Sequence, residues 1–371
     1  MDAAPPLELF LVSAPGLEAA LMREAHRQGY PGARTVPGGV SVDGSWPDIW
    51  RANLTLRGAT RVLMRLDSFR AMHLAQLDKR ARKIDWASVL RPDVPVRVEA
   101  SCAKSKIYHA GAAAQRVERA ISETLGAPLS DDAEVRVLVR IEDDLATISI
   151  DTTGEPLHKR GHKQAVNRAP MRESLAALFL YEAGFTGTEP VYDPMCGSGT
   201  FPIEAAEIAT GLHPGRTRSF AFEHLATFRP ALWDAMKRDA DLRPTPLLFF
   251  GSDGDVGAIA MARDNAERAG VSDLTRFSEC DIADLTRPDS PPGLVIINPP
   301  YGARLGDPNA LVGLYRTLGQ SLARNFSGWR VGLIAANPRL AQATGLPFAP
   351  PLPPVLHGGI RIRLHLTKAL K

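Results

Sequence analysis

The chain has 371 residues, a hydrophobic content of 44% and a formal net charge of +3. This length favours two or three domains, and so small a net charge does not by itself indicate a nucleic-acid ligand. The apolar runs are too short to cross a bilayer, the N-terminus lacks signal-peptide features, and the three cysteines fit neither a disulfide framework nor a CxxC metal site. We therefore expect a cytoplasmic protein without a membrane anchor or a metal.

Two small α+β units are predicted in the first part of the chain. The first covers residues 1–66, with strands at 7–12, 39–42 and 61–66 and helices at 17–27 and 46–52. The second covers residues 67–155. Its pattern predicts strands at 94–100, 135–141 and 145–150, and a helix whose apolar stripe runs from 113 to 125.

A basic connector follows at residues 156–172. It contains Lys159, Arg160, Lys163, Arg168 and Arg172 but no carboxylate. One interpretation is a solvated linker, because charged linkers are common. Its position between two domains favours contact with nucleic-acid phosphates, with Lys159, Arg160 and Lys163 as the candidate residues.

Residues 173–371 show strands that alternate with longer helices, which is typical of a doubly wound parallel sheet. Strands are predicted at 191–192, 247–250, 294–297 and 331–335, with a terminal hairpin strand at 360–366. The fold class is therefore α/β for this third domain.

A glycine turn follows the first of these strands, with the sequence DPMCGSGT from Asp193 to Thr200. Gly197 and Gly199 permit positive φ and close approach of a ligand to the backbone. The turn lacks the lysine of a phosphate-binding loop and the spacing of a GxGxxG dinucleotide turn. It fits a cofactor with an amino-acid moiety, S-adenosylmethionine, whose ammonium Asp193 could bind.

Two further acidic residues follow later strands. Asp253 is placed to accept the ribose hydroxyls of a nucleoside cofactor, and Asp281, next to Ile282, to accept the adenine amino group. The alternative is that both residues only cap the following helices. Sixty residues separate Asp193 from Asp253, so an insertion that contains Trp233 is expected between the first two strands of the domain.

The tetrapeptide Asn298-Pro299-Pro300-Tyr301 comes directly after the apolar run at 294–297. An amide oxygen and a prolyl carbonyl, held rigidly at the end of a strand, can accept both hydrogens of a planar NH2 group. A tyrosine beside them can stack on the ring that carries this amine. Alone the tetrapeptide predicts only a stiff turn, but after the glycine turn and both acidic residues it indicates a methyl-transfer site.

In this order and spacing, the segments DPMCGSGTFPIEAA, GSDGD, ECDIADL and NPPYG resemble those of S-adenosylmethionine-dependent RNA methyltransferases with an N-terminal THUMP domain. The stretch AKSKIYHAGAAAQRV at 103–117 is similar to the THUMP motif that leads into a helix, and GLHPGRTRSFAFEHLATF is similar to an insertion of the enzymes that methylate guanine N2 in bacterial 23S rRNA. The resemblance covers nearly the whole chain. It implies a Rossmann-like class I methyltransferase domain preceded by ferredoxin-like and THUMP domains.

The resemblance also implies roles for individual residues. It assigns cofactor contacts to the glycine turn and to the residues after the next two strands: Asp193, Met195, Cys196, Gly197, Gly199, Thr200, Asp253, Asp281, Ile282 and Asn298. It assigns the target base to Asn298, Pro299, Pro300 and Tyr301. Lys104, Lys106 and His109 of the THUMP-like stretch are expected to bind RNA, the alternative being an ordinary solvated helix start.

Three alternatives to a 23S rRNA guanine-N2 methyltransferase stay open from the sequence. A related enzyme could act on tRNA, because the tetrapeptide recognises an amine and not the RNA around it. Adenine N6, cytosine N4 or a glutamine amide could also fit the tetrapeptide. The chain could finally be a catalytically silent RNA-binding or ribosome-assembly factor that retains the fold.

Overall fold

A computed structural model describes residues 6–164, 171–239, 242–300 and 308–371 of the chain. These residues form two compact units. The first consists of residues 6–13, 22–157 and 215–239, and the second of residues 14–21, 158–214 and the described part of 240–371. Within the described residues, every helix is too short or too polar to cross a membrane.

The first unit is built on one seven-stranded sheet. Its strands are β1 (Leu7–Val12), β2 (Arg34–Val36), β3 (Gly39–Gly44), β4 (Arg61–Arg70), β5 (Val96–Ala103), β6 (Val135–Glu142) and β7 (Leu145–Asp151). Their order is β2-β3-β1-β4-β7-β6-β5, with β5 and β6 parallel and the other neighbours antiparallel. The helices in this part of the chain are α1 (Glu18–Arg27), α2 (Trp46–Thr55), α3 (Leu74–Ala81) and α4 (Ala110–Leu125).

Strand β4 joins the two regions that the sequence pattern separates at residue 66. It is longer than predicted, and it pairs with β1 on one side and with β7 on the other. The pairing with β7 runs from Leu63 to Arg70, with an irregularity between Arg65 and Asp67. Strands from both predicted regions therefore share one sheet, a pairing that depends on backbone hydrogen bonds between residues far apart in sequence.

The second unit contains the predicted doubly wound sheet. Its strands are β8 (Val191–Asp193), β9 (Phe249–Asp253), β10 (Thr275–Glu279), β11 (Leu294–Ile297), β12 (Arg330–Ala335), β13 (Val355–His357) and β14 (Ile360–Leu366). The order is β10-β9-β8-β11-β12-β14-β13, in which the first five strands run parallel and the last two antiparallel. The remaining helices are α5 (Glu173–Glu182), α6 (Thr200–Thr210), α7 (Pro230–Arg238), α8 (Val256–Ala269), α9 (Pro308–Asn325) and α10 (Pro338–Ala343).

A hydrophobic core holds β11 in the middle of this sheet. Both Val295 and Ile297 are fully buried, and they belong to one cluster with an apolar stripe of α9 that includes Tyr315, Leu318 and Leu322. Burial of each large apolar side chain contributes about 1.5–3 kcal/mol. The end of β11, where Asn298 begins, is therefore attached to a rigid core.

The insertion between β8 and β9 folds in the first unit. Residues 215–239, which contain α7, belong to that unit, and Trp233 is 2% exposed there. The ring of Phe222 lies with its centroid 6.0 Å from that of Trp50 and 5.0 Å from that of Trp233. The 60-residue interval between Asp193 and Asp253 thus contains a segment whose aromatic side chains pack in the first unit.

Candidate active site

The predicted site residues follow four neighbouring parallel strands at one edge of the second sheet. Asp193 ends β8, Asp253 ends β9, Asp281 lies two residues after β10, and Asn298 directly follows β11. Along the chain the strands first progress outward from β8 through β9 to β10, and then resume on the other side of β8 with β11. This reversal is a topological switch point, the place where open α/β sheets bind ligands.

The glycine turn has the backbone conformation that its sequence predicts. The φ angles of Gly197 and Gly199 are +52° and +81°, values that side-chain-bearing residues rarely adopt. A Cβ on Gly199 would lie 3.0 Å from the Cβ of Ala262 and 3.1 Å from the ring of Phe277, whereas a Cβ on Gly197 would meet nothing within 4 Å. Gly199 therefore permits close packing, and the backbone of Gly197 borders open space that a ligand can enter.

The carboxylates of Asp193 and Asp253 lie beside this turn, and the charge of Asp253 affects the pKa of Asp193. Asp193 is 3% exposed, and its Oδ1 accepts a hydrogen bond from the backbone N–H of Met195 at 3.0 Å. Burial raises the pKa of Asp193 well above its ordinary value, and the charge of Asp253 raises it further. Among the described residues neither carboxylate forms a salt bridge with Lys or Arg. A positively charged ligand would stabilise both carboxylates here.

Asp253 holds the turn instead of capping the next helix. Its Oδ2 accepts from the N–H of Gly197 at 2.9 Å and its Oδ1 from the N–H of Asp255 at 3.0 Å. The N-cap of α8 is Asp255, which accepts from the N–H of Gly257 at 2.8 Å. Each oxygen of Asp253 retains a lone pair for a ligand hydroxyl.

Asp281 is exposed, and its Oδ1 accepts from the N–H of Ala283 at 2.8 Å, so it caps a short 3-10 helix. The capping alternative is therefore what the structure shows for Asp281, whose second oxygen is the one that a ligand amine could contact. Ile282, the first residue of this 3-10 helix, and Met195 of the glycine turn are partly buried against the core of the unit.

Cys196 and Thr200, the other two predicted cofactor residues, are buried in the glycine turn. Burial raises the pKa of the Cys196 thiol well above its ordinary value, and the charges of Asp193 and Asp253 raise it further. A neutral, buried thiol is unreactive. Cys196 therefore packs the turn, and Thr200 begins α6.

The side-chain oxygen of Asn298 is a hydrogen-bond acceptor that no described donor contacts. Its Oδ1 is buried and has no hydrogen-bond partner among the described residues. An unsatisfied buried polar atom costs about 1–3 kcal/mol, which a ligand donor would recover. Pro299 is buried beside it, and the carbonyl of Pro300 accepts from the hydroxyl of Tyr315 at 3.4 Å. Tyr301 lies outside the described residues.

Tyr315 was not a predicted site residue. Its helical spacing with Leu311, Leu318 and Leu322 indicates only a core position, and its side chain is indeed fully buried. The hydrogen bond of its hydroxyl to the carbonyl of Pro300 attaches the tetrapeptide to the core of the unit. No local sequence signal distinguishes this tyrosine from an ordinary core residue.

Arg160 of the connector is inside the second unit, contrary to its predicted contact with RNA phosphates. Its side chain is 1% exposed. The guanidinium forms a salt bridge with Glu204 and another with Glu207 at 3.3 Å, both carboxylates being buried on α6. These carboxylates compensate the buried charge of Arg160, which is therefore not available to a phosphate.

The side chain of Lys163 is also buried, contrary to its predicted contact with RNA phosphates. Its side chain is 8% exposed, and its Nζ donates to the carbonyl of Met171 at 2.7 Å and to the hydroxyl of Thr200 at 2.8 Å. The carboxylate of Glu173 lies 3.5 Å away. Thr200 begins α6 directly after the glycine turn, so Lys163 attaches the connector to the candidate cofactor site.

The remaining predicted RNA-binding residues lie on the surface. Lys104, Lys106 and His109 of the first unit are exposed, and so is Lys159 of the connector. The Nδ1 of His109 also accepts from the N–H of Ala112 at 3.0 Å, which caps α4. Their contact with RNA stays a prediction.

No group of three or more His, Cys, Asp or Glu residues that could hold a metal ion occurs within the ranges that the structure describes.

Sequence comparison agrees with this geometry. Residues 160–347, just over half of the chain, match the family described as UPF0020, RMKL-like, methyltransferase domain. The chain belongs to this family. Residues 8–63 match the RlmL ferredoxin-like domain, so the predicted α/β class with a ferredoxin-like N-terminal part is confirmed.

Relatives of known name or structure cover almost the whole chain. The ribosomal RNA large subunit methyltransferase K/L of Syntrophotalea carbinolica is 36% identical over 93% of this chain. The chain spans about half (51%) of the length of that relative. Among solved structures, the methyltransferase candidate SMU.472, in complex with SAH, has a TM-score of 0.89 at 27% identity and covers 100% of both chains. A methylase candidate from Clostridium difficile 630 has a TM-score of 0.90 at 30% identity and covers 99% of both.

S-adenosylmethionine is confirmed as the cofactor of this methyltransferase family member. The residues of the site fit it on two counts. Open space borders the backbone of Gly197, and the Asp193–Asp253 pair favours a ligand with positive charge, which this cofactor carries on its ammonium and its sulfonium.

Proposed function

We propose that the protein transfers a methyl group from S-adenosylmethionine to the N2 amine of a guanine in RNA, and specifically in the RNA of the large ribosomal subunit. The observation that carries the proposal is the buried Oδ1 of Asn298, which has no hydrogen-bond partner in the described part of the chain and lies at the end of β11, one strand away from the glycine turn. An acceptor in that position requires a donor from the substrate, and an exocyclic amine provides one.

The choice of RNA is supported by the relatives of the chain. The Syntrophotalea carbinolica relative is named for methylation of large-subunit ribosomal RNA. Residues 103–117 resemble a THUMP motif, and residues 8–63 match a ferredoxin-like domain that is named for the same kind of enzyme. We also propose that the chain is divided into domains at 1–66, 67–155 and 173–371, with the connector at 156–172. We further propose that the protein is cytoplasmic.

Several residues at the carboxyl ends of β8, β9 and β10 would hold the cofactor. Asp193 and the backbone of the glycine turn would bind its amino-acid end, Asp253 its ribose hydroxyls and Asp281 its adenine amine. S-adenosylmethionine supplies an electrophilic methyl group on a sulfonium when it is bound. The turn and its carboxylates would hold the cofactor at the carboxyl ends of the strands next to β11.

Asn298 and Pro299 would orient the nucleophile. The lone pair of the guanine amine is delocalised into the ring, so hydrogen bonds to the Oδ1 of Asn298 and the carbonyl of Pro299 favour a pyramidal nitrogen. The lone pair then points at the methyl group. Good alignment can supply about 7 kcal/mol or more of a barrier, and the proton becomes acidic once the nitrogen carries the methyl group. Tyr301 is proposed to stack on the extruded base, whose unstacking costs a few kcal/mol.

The proposal is tested by methylation of ribosomal RNA from a strain that lacks the gene. The purified protein and S-adenosylmethionine should introduce one methyl group, and mass spectrometry of the nucleosides should identify N2-methylguanosine. Methylated adenosine or cytidine in its place would show that the amine site is right and the base is wrong. Methylation of tRNA in preference to ribosomal RNA would support the alternative substrate.

Variants of Asn298 test the site itself. Asn298→Ala should lower the single-turnover rate by roughly a hundredfold or more with little change in cofactor affinity, because the amide acts mainly in the transition state. Asn298→Asp retains an acceptor oxygen and should lose less. Asn337→Ala, which removes a cap of α10 in the same unit, is a control for general destabilisation. Equal rates in all variants would contradict the role of the amide.

Calorimetry distinguishes the proposed enzyme from a catalytically silent RNA-binding factor. If the protein binds S-adenosylmethionine at one site per chain and Asp253→Ala weakens that binding by about 1–3 kcal/mol, the scale for unsatisfied hydroxyl groups, the cofactor site is functional. Absence of cofactor binding in the wild-type protein would favour an RNA-binding factor without catalysis.

A further inference from the structure

Tyr108 is an aromatic side chain that no structural role explains. It is 85% exposed, more than any other large hydrophobic residue that the structure describes as exposed. Single exposed apolar residues are common on protein surfaces. A tyrosine that leaves most of its ring in water, however, gains little from the core. The neighbouring Ile107 is only 4% exposed and anchors the loop, so the exposure belongs to Tyr108 itself.

The loop that carries Tyr108 is part of an ordered group of loops at one end of the first sheet. We name this group the loop cluster and define it as residues 70–73, 103–109 and 143–145. The backbone N–H of Lys106 donates to the carboxylate of Asp144 at 2.8 Å, and that of Asp144 donates to the hydroxyl of Ser105 at 3.0 Å. The N–H of Ala71 donates to the carbonyl of Asp144 at 2.9 Å. These bonds connect all three loops.

Backbone conformation in the loop cluster is unusual as well. Three non-glycine residues with positive φ occur in the described part of the chain, Lys104 at +47°, Asp143 at +50° and Asp144 at +62°. All three belong to the loop cluster. Aspartates tolerate this conformation in hairpin turns, but it is unfavourable for lysine by about 1–2 kcal/mol. Such a conformation persists where the surrounding structure determines it, so the loop presents its side chains in a defined arrangement.

Exposed cations belong to the same loops as Tyr108, and one of them, Arg70, donates from its Nη1 to the backbone carbonyl of Asp143 at 3.5 Å. Arg70, Lys104 and Lys106 are exposed, and none of them forms a salt bridge with another described residue. The Nζ of Lys106 lies 3.6 Å from the sulfur of Met72, which is itself 45% exposed. Two acidic residues, Asp143 and Asp144, belong to the same cluster, but one carboxylate oxygen of Asp144 is engaged by the backbone of Lys106.

The open face of the same sheet provides an internal contrast. Three of its arginines are neutralised: Arg65 by Glu8 at 2.6 Å, Arg97 by Glu99 at 3.5 Å and Arg140 by Glu142 at 2.6 Å. That face lines a cavity of about 670 Å³, which Arg70, Asp143 and Leu145 of the loop cluster also border. Its charges are balanced, so it has no excess charge to attract a polyanion. The loop cluster combines exposed cations that form no salt bridge with a described residue and an exposed ring.

We propose that the loop cluster binds a single-stranded segment of RNA, with an unpaired base stacked on Tyr108 and the flanking phosphates near Lys104 and Lys106. An exposed aromatic ring next to cations is the arrangement by which proteins bind single strands without regard to sequence. A duplex does not fit, because its bases are stacked inside the helix. The identity of the nucleic acid rests on the proposed function, whereas the stacking site can be tested independently of it.

The test uses the full-length protein and two probes, a 12-nucleotide oligoadenylate and an RNA duplex of 12 base pairs, at one fixed salt concentration. Tyr108→Ala should weaken binding of the single strand by roughly 10- to 100-fold, the range that corresponds to loss of one stacked base. Tyr108→Phe retains the ring and should bind within about twofold of the wild type by the same argument. Binding of the duplex should change little in either variant, and so should cofactor affinity.

A tryptophan at this position gives a direct signal of stacking. The fluorescence of Tyr108→Trp should be quenched when the oligoadenylate binds and unaffected by the duplex. Leu356→Ala, which alters another exposed residue (51%) in the second unit, serves as the matched control and should bind both probes as the wild type does.

The proposal is overturned if Tyr108→Ala binds the single strand as tightly as the wild type, or if Tyr108→Phe is as weak as Tyr108→Ala. Equal loss of single-strand and duplex binding would also contradict stacking. Methylation of ribosomal RNA is measured separately. Activity that depends on Asn298, together with single-strand binding that is unchanged in Tyr108→Ala, would leave the proposed function intact and refute only the stacking site.

Discussion

The connector and the loop cluster contain basic residues of the same kind in opposite surroundings. Arg160 and Lys163 of the connector are buried against carboxylates, whereas Lys104 and Lys106 of the loop cluster are exposed and form no salt bridge with a described residue. The sequence pattern predicts one role, RNA binding, for all four. The comparison shows that a basic segment without carboxylates of its own can be neutralised by a helix elsewhere in the chain.

The two groups therefore affect different properties of the protein. A buried cation whose partner is removed leaves an uncompensated charge, and this is strongly destabilising. An exposed, unpaired cation affects folding very little, but it attracts phosphates over a distance that salt shortens. Substitutions in the connector should change stability and cofactor binding, and substitutions in the loop cluster should change only binding of RNA.

The largest effect is expected for Arg160→Met. It removes the guanidinium that pairs with Glu204 and Glu207 inside the second unit, and the free energy of unfolding should fall by about 3–5 kcal/mol. Denaturant unfolding followed by circular dichroism measures this change. Lys159→Met alters the exposed neighbour and should stay within about 0.5 kcal/mol of the wild type. Equal stability of the two variants would contradict the conclusion that only the buried cation stabilises the fold.

The next effect concerns Lys163→Met and the cofactor site. Loss of the ammonium leaves Thr200 and the carbonyl of Met171 without their donor, next to the glycine turn. We expect S-adenosylmethionine to bind more weakly by about 1–3 kcal/mol, the scale for unsatisfied buried polar groups. Calorimetric titration provides the measurement. Lys368→Met, at an exposed position, should leave affinity unchanged, and an unaffected Lys163→Met would show that the connector does not position the turn.

A smaller effect is expected for Lys104→Ala and Lys106→Ala. Each should lower the slope of the logarithm of RNA affinity against the logarithm of salt concentration by about 0.7, the value for one phosphate contact on a single strand. Stability should change by less than about 0.5 kcal/mol. Arg140→Ala removes a cation that is already paired with Glu142 and should leave the slope unchanged. If the slope falls by the same amount in all three variants, then salt-bridge formation does not decide which cations bind RNA.

The smallest expected effect is a dependence on pH from His158 of the connector. Burial, together with the charges of the neighbouring cations Arg172 and Lys159, lowers the pKa of His158 to about 4. The folded protein then binds fewer protons than the unfolded chain between pH 6.5 and about 4, so the free energy of unfolding should decrease as the pH falls through this range. Denaturant unfolding at several pH values should show a shallower decrease for His158→Gln, and an identical pH profile would contradict this cause.

Several features of the site were predictable because local chemistry determines them. Positive φ at Gly197 and Gly199 and the placement of Asp193, Asp253 and Asn298 after buried strands follow from residue type and short-range pattern. The parallel order of the second sheet follows from alternation of strands and helices. Each of these features depends on residues that are near one another in sequence.

Long-range partners were not predictable in the same way. The pairing of β4 with β7 and the packing of Phe222 against Trp50 join residues separated by 75 or more positions. The carboxylates that pair with Arg160 and Lys163 lie on α6 and α5, beyond the connector. Short sequence patterns contain no information about which distant carboxylate or strand will be close.

The sequence by itself thus determined the fold class, the family resemblance and the positions of the candidate cofactor and amine residues, because turns, strand ends and helical periodicity are local. Only the tertiary structure decided which cations remain free for a ligand. That outcome depends on burial and on distance to carboxylates, and both arise when distant parts of the chain pack together. Tyr108 illustrates the same limit: its residue type is visible in the sequence, but its 85% exposure, on a loop whose lysines form no salt bridge with a described residue, is a property of the folded chain.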